Sequence, residues 1–180
     1  SLPEPTKPLK PNDKDSTIEF KNVNFRYSDG NDSALKDFNL TIKNGQKVGV
    51  VGKSGAGKTT LTKLLLRMYL PDSGEILIGN KSTAEMGSEN TRKCIAYVPQ
   101  EPILFHRSIK ENIAYGDINP SDEKIHAASS AANIDHFIRS LPQGLDTKLT
   151  DDSASISNGE RQLLTIARAF IADPAILILD

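Results

Sequence analysis

Alternation of apolar and polar residues predicts a series of strands in the first 80 residues. Ile18 to Val23 alternates in this way, and the extended stretch continues to Tyr27. Leu35 to Ile42 alternates again after a turn-rich segment at 28–32, and Glu75 to Ile78 follows a Pro-Asp-Ser-Gly break. Lys47 to Val51 is a short apolar run of strand length, so a further strand is predicted there.

Helical patterns follow these strands. They indicate helices at about 57–69, 121–133, 134–140 and 157–172. Ser121 is a suitable N-cap, and the Asp122 and Glu123 carboxylates favour a helix N-terminus. The chain closes on Ala175 to Asp180, a continuous apolar run typical of a strand buried on both faces of a parallel sheet. This order of elements predicts an α/β core with a separate helical subdomain.

Composition narrows the class of protein. Of the 180 residues, 37% are hydrophobic and 25% charged, which is ordinary for a globular chain, and the net charge of −1 argues against nucleic acid as a partner. No apolar stretch is long enough to span a bilayer, and no signal-peptide core opens the chain. Cys94 is the sole cysteine, so an internal disulfide or a cysteine-based zinc site is excluded. Ser1 to Asp15 is proline-rich and is expected to be a flexible, partly extended linker.

A glycine-rich segment between a predicted strand and a predicted helix carries the strongest chemical signal. It matches the P-loop pattern GxxxxGK(S/T) over eight residues, namely Gly52, Lys53, Ser54, Gly55, Ala56, Gly57, Lys58 and Thr59. The glycines let successive backbone N–H groups turn toward phosphate oxygens, and the following helix adds its N-terminal dipole. Lys58 is expected to reach the β- and γ-phosphates, and the Thr59 hydroxyl to bind magnesium. The segment therefore predicts a site for ATP and Mg²⁺.

The apolar run that ends the chain has a second chemical signal, its terminal carboxylate. P-loop NTPases use an aspartate after such a strand to help hold magnesium, alongside the P-loop hydroxyl. Asp180 is therefore predicted to be a magnesium ligand together with Thr59.

Three further segments accompany the P-loop in a fixed order. Tyr27 ends a predicted strand before the loop, Tyr97 to Gln100 follows it, and Ile156 to Gln162 opens the helix before Asp180. Together these segments resemble the ATP-binding domain of ABC (ATP-binding cassette) transporters. Gln100 to Ile113 is similar to the exporter type within that family. The resemblance covers about Thr17 to Asp180.

The resemblance implies a fold and a division of the chain. The fold is α/β, a P-loop NTPase core with an antiparallel β subdomain and an α-helical subdomain at about 103–172. Residues 1–16 are then a linker from a preceding transmembrane domain, and residues 17–180 a partial nucleotide-binding domain whose C-terminal part is missing.

The resemblance also implies residue roles. Tyr27 stacks on adenine, and the phosphate-binding set extends to Thr60. Gln100 and Asp180 take part in catalysis and share the magnesium with Thr59. The signature segment, Ser157, Asn158, Gly159 and Glu160, acts on the nucleotide of a second domain. Two plainer interpretations stay open, namely that Tyr27 only packs within its sheet and that Gln100 is an ordinary loop glutamine.

The implied partners are ATP, a second nucleotide-binding domain in a homodimer or heterodimer, and a transmembrane domain. In such an assembly the domain lies on the cytoplasmic side of a membrane, and ATP hydrolysis drives substrate export. Two alternatives remain: a degenerate, non-hydrolysing cassette with a structural or regulatory role, and a soluble ABC ATPase.

Departures from the family pattern support the alternative of a degenerate cassette. The signature is usually Leu-Ser-Gly-Gly-Gln, whereas this chain has Asn158 in place of the first glycine and Glu160 in place of glutamine. Asparagine tolerates left-handed backbone conformations, so the turn is expected to survive. The segment 150–153 lacks the Glu-Arg-Gly run of many exporters. The family's catalytic glutamate and H-loop histidine would follow Asp180, so this chain by itself is expected to bind ATP and hydrolyse it poorly.

Overall fold

The structure, a computed structural model, describes residues 2–12, 14–28, 33–53, 56–117, 119–150 and 156–180. The chain divides into two compact units, residues 1–95 and residues 96–180. Each unit has its own secondary structure and its own buried side chains.

A four-stranded sheet in the order β2-β1-β3-β4 forms the first unit's framework. Its strands are β1 (Ile18–Phe25), β2 (Leu35–Ile42), β3 (Ser73–Ile78) and β4 (Lys81–Ser82). All three pairings are antiparallel; Ile18 lies opposite Ile42 on one side and opposite Ile78 on the other. Phe20 and Val23 are buried, as the alternation in the sequence predicted. The predicted antiparallel β region is therefore confirmed.

Helix α1 (Lys58–Leu65) is shorter than the predicted helix at 57–69. Arg67 adopts a left-handed backbone conformation with φ 51°, and Met68 N–H donates to the Lys63 carbonyl at 2.8 Å. This is the Schellman arrangement that closes a helix C-terminus, with arginine at the position where glycine is usual. The helix stops here because these bonds satisfy its last carbonyls.

Helix α2 (Thr83–Lys93), which the sequence reasoning missed, follows β4 and is kinked at Gly87. The N-terminal segment lies against it: Leu9 N–H donates to the Glu85 carbonyl at 2.9 Å. The buried Arg67 guanidinium lies 2.8 Å from the Glu4 carboxylate. The predicted linker role of residues 1–16 stays a prediction, but this segment contacts its own unit along several residues.

The strand predicted at Lys47 to Val51 is wrong, because this segment is irregular. A strand exists only where a neighbour pairs with it, and within the first unit no described strand pairs with these residues. Val48, Val50 and Val51 are 42%, 50% and 93% exposed, so this apolar run is not buried either.

The second unit is mainly helical. Its helices are α3 (Ile109–Ala114), α4 (Asp122–Ala131), α5 (Asp135–Ser140), a 3₁₀ turn (Gly144–Asp146) and α6 (Asn158–Ile171). Their apolar faces meet in a cluster that includes Ile113, Ile125 and Leu164, all at most 1% exposed. The predicted helices at 121–133, 134–140 and 157–172 are confirmed to within a few residues, whereas α3 was not predicted.

Strand β5 (Ile95–Val98) pairs with β6 (Ile176–Leu179), and Asp180 N–H donates to the Val98 carbonyl at 3.0 Å. The final strand is thus confirmed, but its predicted burial on both faces is wrong. Ile176 is buried, whereas Leu177 and Leu179 are 38% and 62% exposed. A strand is covered on both faces only when further layers pack on it, and within the described part of the second unit β6 lacks such cover at these two residues.

Among the described residues, no helix has both the length and the apolar character needed to cross a bilayer.

Candidate functional site

The loop before α1 turns tightly onto the helix at Gly57. This residue has φ 85° and ψ 6°, a left-handed conformation, and it is buried. A Cβ atom built on it would lie 2.8 Å from the Ala34 carbonyl oxygen. Glycine is therefore required here for both backbone conformation and space. The result is an abrupt entry into α1 at Gly57.

The N-terminus of α1 lacks both a side-chain cap and an acidic residue among the described residues, unlike the other α-helices described. A helix leaves the N–H groups of its first turn without intrahelical partners, and side chains usually cap them. In α1 no side chain of the described residues caps these groups, and no acidic residue lies in the first turn. Every other α-helix in the described ranges has an acidic residue in its first turn. The first turn of α1 is therefore suited to an anion supplied from outside.

Lys58 lies at this open end and folds back over the loop. Its ammonium group donates to the carbonyl oxygens of Gly52 at 2.7 Å and Lys53 at 2.8 Å. Ala56 N–H donates to the Lys53 carbonyl at 3.1 Å. The arrangement holds a cation beside the helix N-terminus. Thr59 is exposed, so its hydroxyl is accessible from solvent.

Tyr27 is connected to this helix through its hydroxyl group. The Tyr27 hydroxyl and the Thr60 hydroxyl lie 3.1 Å apart within hydrogen-bonding geometry, and Thr60 is buried. The Tyr27 ring packs edge-to-face against Phe25 at 4.9 Å between ring centres. Of the predicted residues in the first unit, the structure therefore brings Tyr27 and Thr60 together beside the P-loop helix. Ser54 and Gly55 lie outside the described residues.

Asp180 lies at the end of β6 and is exposed, and Gln100 is exposed two residues after β5. Tyr97, on β5, donates its hydroxyl to the Asp180 carboxylate at 2.8 Å. Burial and this hydrogen bond both raise the pKa of Tyr97, so its proton stays in place at neutral pH. The sequence reasoning missed Tyr97 as an Asp180 partner. The sequence feature that could have pointed to Tyr97 is its position three residues before Gln100.

The signature segment forms the start of α6 and is closed by a capping box. Ser157 donates both its backbone N–H and its hydroxyl to one Glu160 carboxylate oxygen at 2.7 Å, and Glu160 N–H donates to the Ser157 hydroxyl at 3.3 Å. Asn158 is the first helical residue and its φ is negative, so the left-handed tolerance expected of it is not used. Gly159 is exposed in the same turn.

The predicted residues are thus divided between the two units. The P-loop residues and Tyr27 lie in the first unit, whereas Gln100, Asp180 and the signature segment lie in the second. The magnesium set of Thr59, Gln100 and Asp180 therefore stays a prediction.

A family model described as ABC transporter matches residues 35–180, most of the chain. Among curated proteins, the chain is 44% identical to "Uncharacterized ABC transporter ATP-binding protein YfiC" of Bacillus subtilis, over 91% of this chain and 27% of that protein. It is 44% identical to "ATP-dependent permease MDL1" of Candida albicans, over 91% of this chain and 24% of that protein. The chain thus spans about a quarter of the length of these relatives.

The fold is also similar to a solved structure. A bacterial Atm1-family ABC exporter with ATP bound superimposes on the chain with a TM-score of 0.91 and 35% sequence identity, covering 100% of this chain and 32% of that protein. The α/β fold class predicted from the sequence is confirmed by this match.

Proposed function

Because the chain belongs to the ABC transporter family and is an exporter-type ATP-binding domain, we propose that it binds Mg-ATP at the start of α1 and serves as the ATPase motor of a membrane exporter. The observation that carries the proposal is the open N-terminus of α1, with Lys58 beside it. A triphosphate supplies the negative charge that no residue of that turn provides.

Lys58 has a defined part in this proposal. Its ammonium group is already paired with two loop carbonyls, so phosphate oxygens replace or join those acceptors. The charge-assisted bonds to phosphate are stronger than bonds to neutral carbonyls, so the exchange is favourable. The Tyr27 ring holds the nucleoside end, and the buried Thr60 fixes that ring through the Tyr27 hydroxyl.

The residues proposed for magnesium have the right chemistry. A hydroxyl from Thr59, an amide oxygen from Gln100 and a carboxylate from Asp180 are all hard oxygen ligands, which Mg²⁺ prefers. When bound, the ion neutralises charge on the β- and γ-phosphates. Tyr97 orients the Asp180 carboxylate through its hydrogen bond. Gln100 also contributes to positioning water.

The signature segment acts on a second nucleotide in this proposal. Two copies, or this chain and a related one, pair head to tail, so that Ser157, Asn158, Gly159 and Glu160 of one reach the ATP of the other. The N–H groups at the start of α6 are chemically suited to a phosphate. A transmembrane domain then uses the pairing and its reversal to export a substrate, with this domain on the cytoplasmic side.

The Ser157–Glu160 contact favours one alternative, a cassette that binds ATP without efficient hydrolysis. The Glu160 carboxylate accepts from the donors that a partner's γ-phosphate would need, and it adds negative charge where phosphate would arrive. An ATPase measurement on the longer parent protein with its partner domain separates this alternative from the motor.

The direct test is calorimetric titration of this chain with Mg-ATP, beside Lys58→Ala and a matched Lys47→Ala control. Lys47 is an exposed lysine before the loop, so its removal is expected to leave the affinity unchanged. The proposal predicts saturable binding that Lys58→Ala weakens at least about tenfold, since a charge-assisted bond contributes about 1.5–3 kcal/mol. Equal affinity for Lys58→Ala and the parent would refute phosphate binding at α1.

A further inference from the structure

Tyr69 lies in the turn after α1 and contacts two other aromatic rings. Its ring centre is 5.3 Å from that of Tyr27 with an interplanar angle of 85°, and 5.5 Å from that of Phe25 with an angle of 61°. The three rings form a mutual edge-to-face cluster within the first unit. Tyr69 is nonetheless 40% exposed, so the cluster lies partly at the surface.

Tyr27 is held from two directions within this cluster. Its hydroxyl meets Thr60 in the first turn of α1, and its ring meets Tyr69 beyond the last turn of the same helix. Phe25, buried on β1, contacts both tyrosine rings. The Lys63 ammonium lies 5.4 Å from the Tyr27 ring centre and 5.9 Å from that of Tyr69, within cation–π range of both.

A ring fixed by four neighbours has lost its rotational freedom before any ligand arrives. A preorganised aromatic surface binds more tightly than a mobile one, because less conformational entropy is lost on binding. Phosphate binding at α1 does not involve Tyr69, which lies at the opposite end of the helix. The effect of Tyr69 is therefore confined to the base.

We propose that Tyr69 is a positioning residue for Tyr27, and that it determines affinity for the aromatic base of the nucleotide without contributing to phosphate binding. This inference rests on the proposed function, in which Tyr27 stacks on that base.

The test compares Mg-ATP with inorganic tripolyphosphate and Mg²⁺ in calorimetric titrations of this chain. Tyr69→Leu is expected to weaken ATP binding about three- to tenfold, the range given by the loss of an aromatic pair. Its affinity for tripolyphosphate is expected to stay unchanged. Tyr69→Phe, which keeps the ring, restores ATP affinity. Tyr115→Leu is the matched control, since Tyr115 is an exposed tyrosine of the second unit that packs on Phe105.

If Tyr69→Leu weakens the binding of both ligands equally, Tyr69 has a general structural role and the inference is overturned. Unchanged ATP affinity in Tyr69→Leu would also overturn it. Because Tyr69 is partly exposed, Tyr69→Gln serves as a second variant if the leucine variant does not fold. Tyr27→Leu distinguishes failure of the proposed base stacking from failure of the inference about Tyr69. If it leaves the ratio of ATP to tripolyphosphate affinity unchanged, base stacking itself fails; if it lowers the ratio and Tyr69→Leu does not, only the inference fails. Absence of ATP binding by the parent overturns both.

Discussion

Asn112, on α3, has a fully buried side-chain amide. This amide holds together the backbone from Phe105 to Ser108, just before the helix. Its side-chain oxygen accepts from Phe105 N–H at 2.8 Å and from the Arg168 guanidinium at 2.9 Å. Its side-chain nitrogen donates to the carbonyls of Phe105 at 2.9 Å and Ser108 at 3.0 Å. One side chain therefore joins α3, the preceding turn and α6.

Replacing Asn112 by alanine is expected to destabilise the second unit by about 3–5 kcal/mol. Each lost hydrogen bond contributes about 1 kcal/mol net, and the buried partners left without a bond add to the cost. Asn112→Asp keeps the acceptor oxygen for Arg168 but loses the donor, which sets a second oxygen against two carbonyls. This variant is therefore expected to be destabilised as well.

Urea unfolding, followed by helical circular dichroism, measures the change. The chain has no tryptophan, so tyrosine emission also reports on Tyr115, whose ring packs against Phe105. Gln143→Ala, an exposed amide of the same unit, is the control and is expected to change stability by less than about 0.5 kcal/mol. A loss below about 1 kcal/mol for Asn112→Ala would refute the reasoning, since it would mean that these bonds are no better than bonds to water.

Three further predictions concern the N-terminal segment and the signature. The bonds from Ser88, then the Arg67 charge, lower the pKa of Glu4, so its contribution to stability is present above the ordinary value of 4.5 and is lost as pH falls through the lowered pKa. Melting curves between about pH 7 and pH 3 are expected to show this loss in the parent and not in Glu4→Gln. Gly87→Ala is expected to cost at least about 1–3 kcal/mol in urea unfolding, because φ 77° and ψ 170° suit glycine alone and the new Cβ would lie 2.8 Å from a Glu4 carboxylate oxygen. Glu160→Gln is expected to lower α6 stability by about 0.3–1 kcal/mol in thermal melts and to strengthen ATP-dependent pairing in sedimentation, because it removes a negative charge at the helix N-terminus.

Each of these has a matched control. Glu75→Gln removes an exposed carboxylate on β3, and a melting profile identical to that of Glu4→Gln would contradict the Glu4 prediction. Gly45 has φ 76° with no atom within 4 Å of a built Cβ, so Gly45→Ala isolates backbone strain. If Gly87→Ala costs no more than Gly45→Ala, the collision with Glu4 is unimportant. Unchanged or weaker pairing in Glu160→Gln would show that its carboxylate does not oppose phosphate.

Local sequence patterns predicted the elements that depend on chain neighbours. Ser157 and Glu160 are three residues apart, and that spacing is enough for the capping box that starts α6. The same spacing occurs at Ser108 and Glu111 before α3, so this helix was predictable and was missed. The segment from Ser82 to Glu85 similarly marks the start of α2.

Other features depend on partners distant in the chain and could not be read from periodicity. Arg67 and Glu4 are 63 positions apart, and only folding shows that a charged side chain can be buried after α1. The apolar run at 47–51 has strand periodicity, yet burial and pairing depend on which neighbours pack beside it.

The sequence by itself determined the fold class and the family, and it predicted a phosphate-binding loop, because the P-loop pattern consists of contiguous residues whose backbone and side chains act together. The tertiary structure alone decided which side chains contact the predicted site residues within each unit. Tyr27 meets Thr60 and Tyr69, and Tyr97 meets Asp180, through contacts that span many residues. Such contacts follow from packing, in which each position is set by all of its neighbours at once, so a one-dimensional pattern does not contain them.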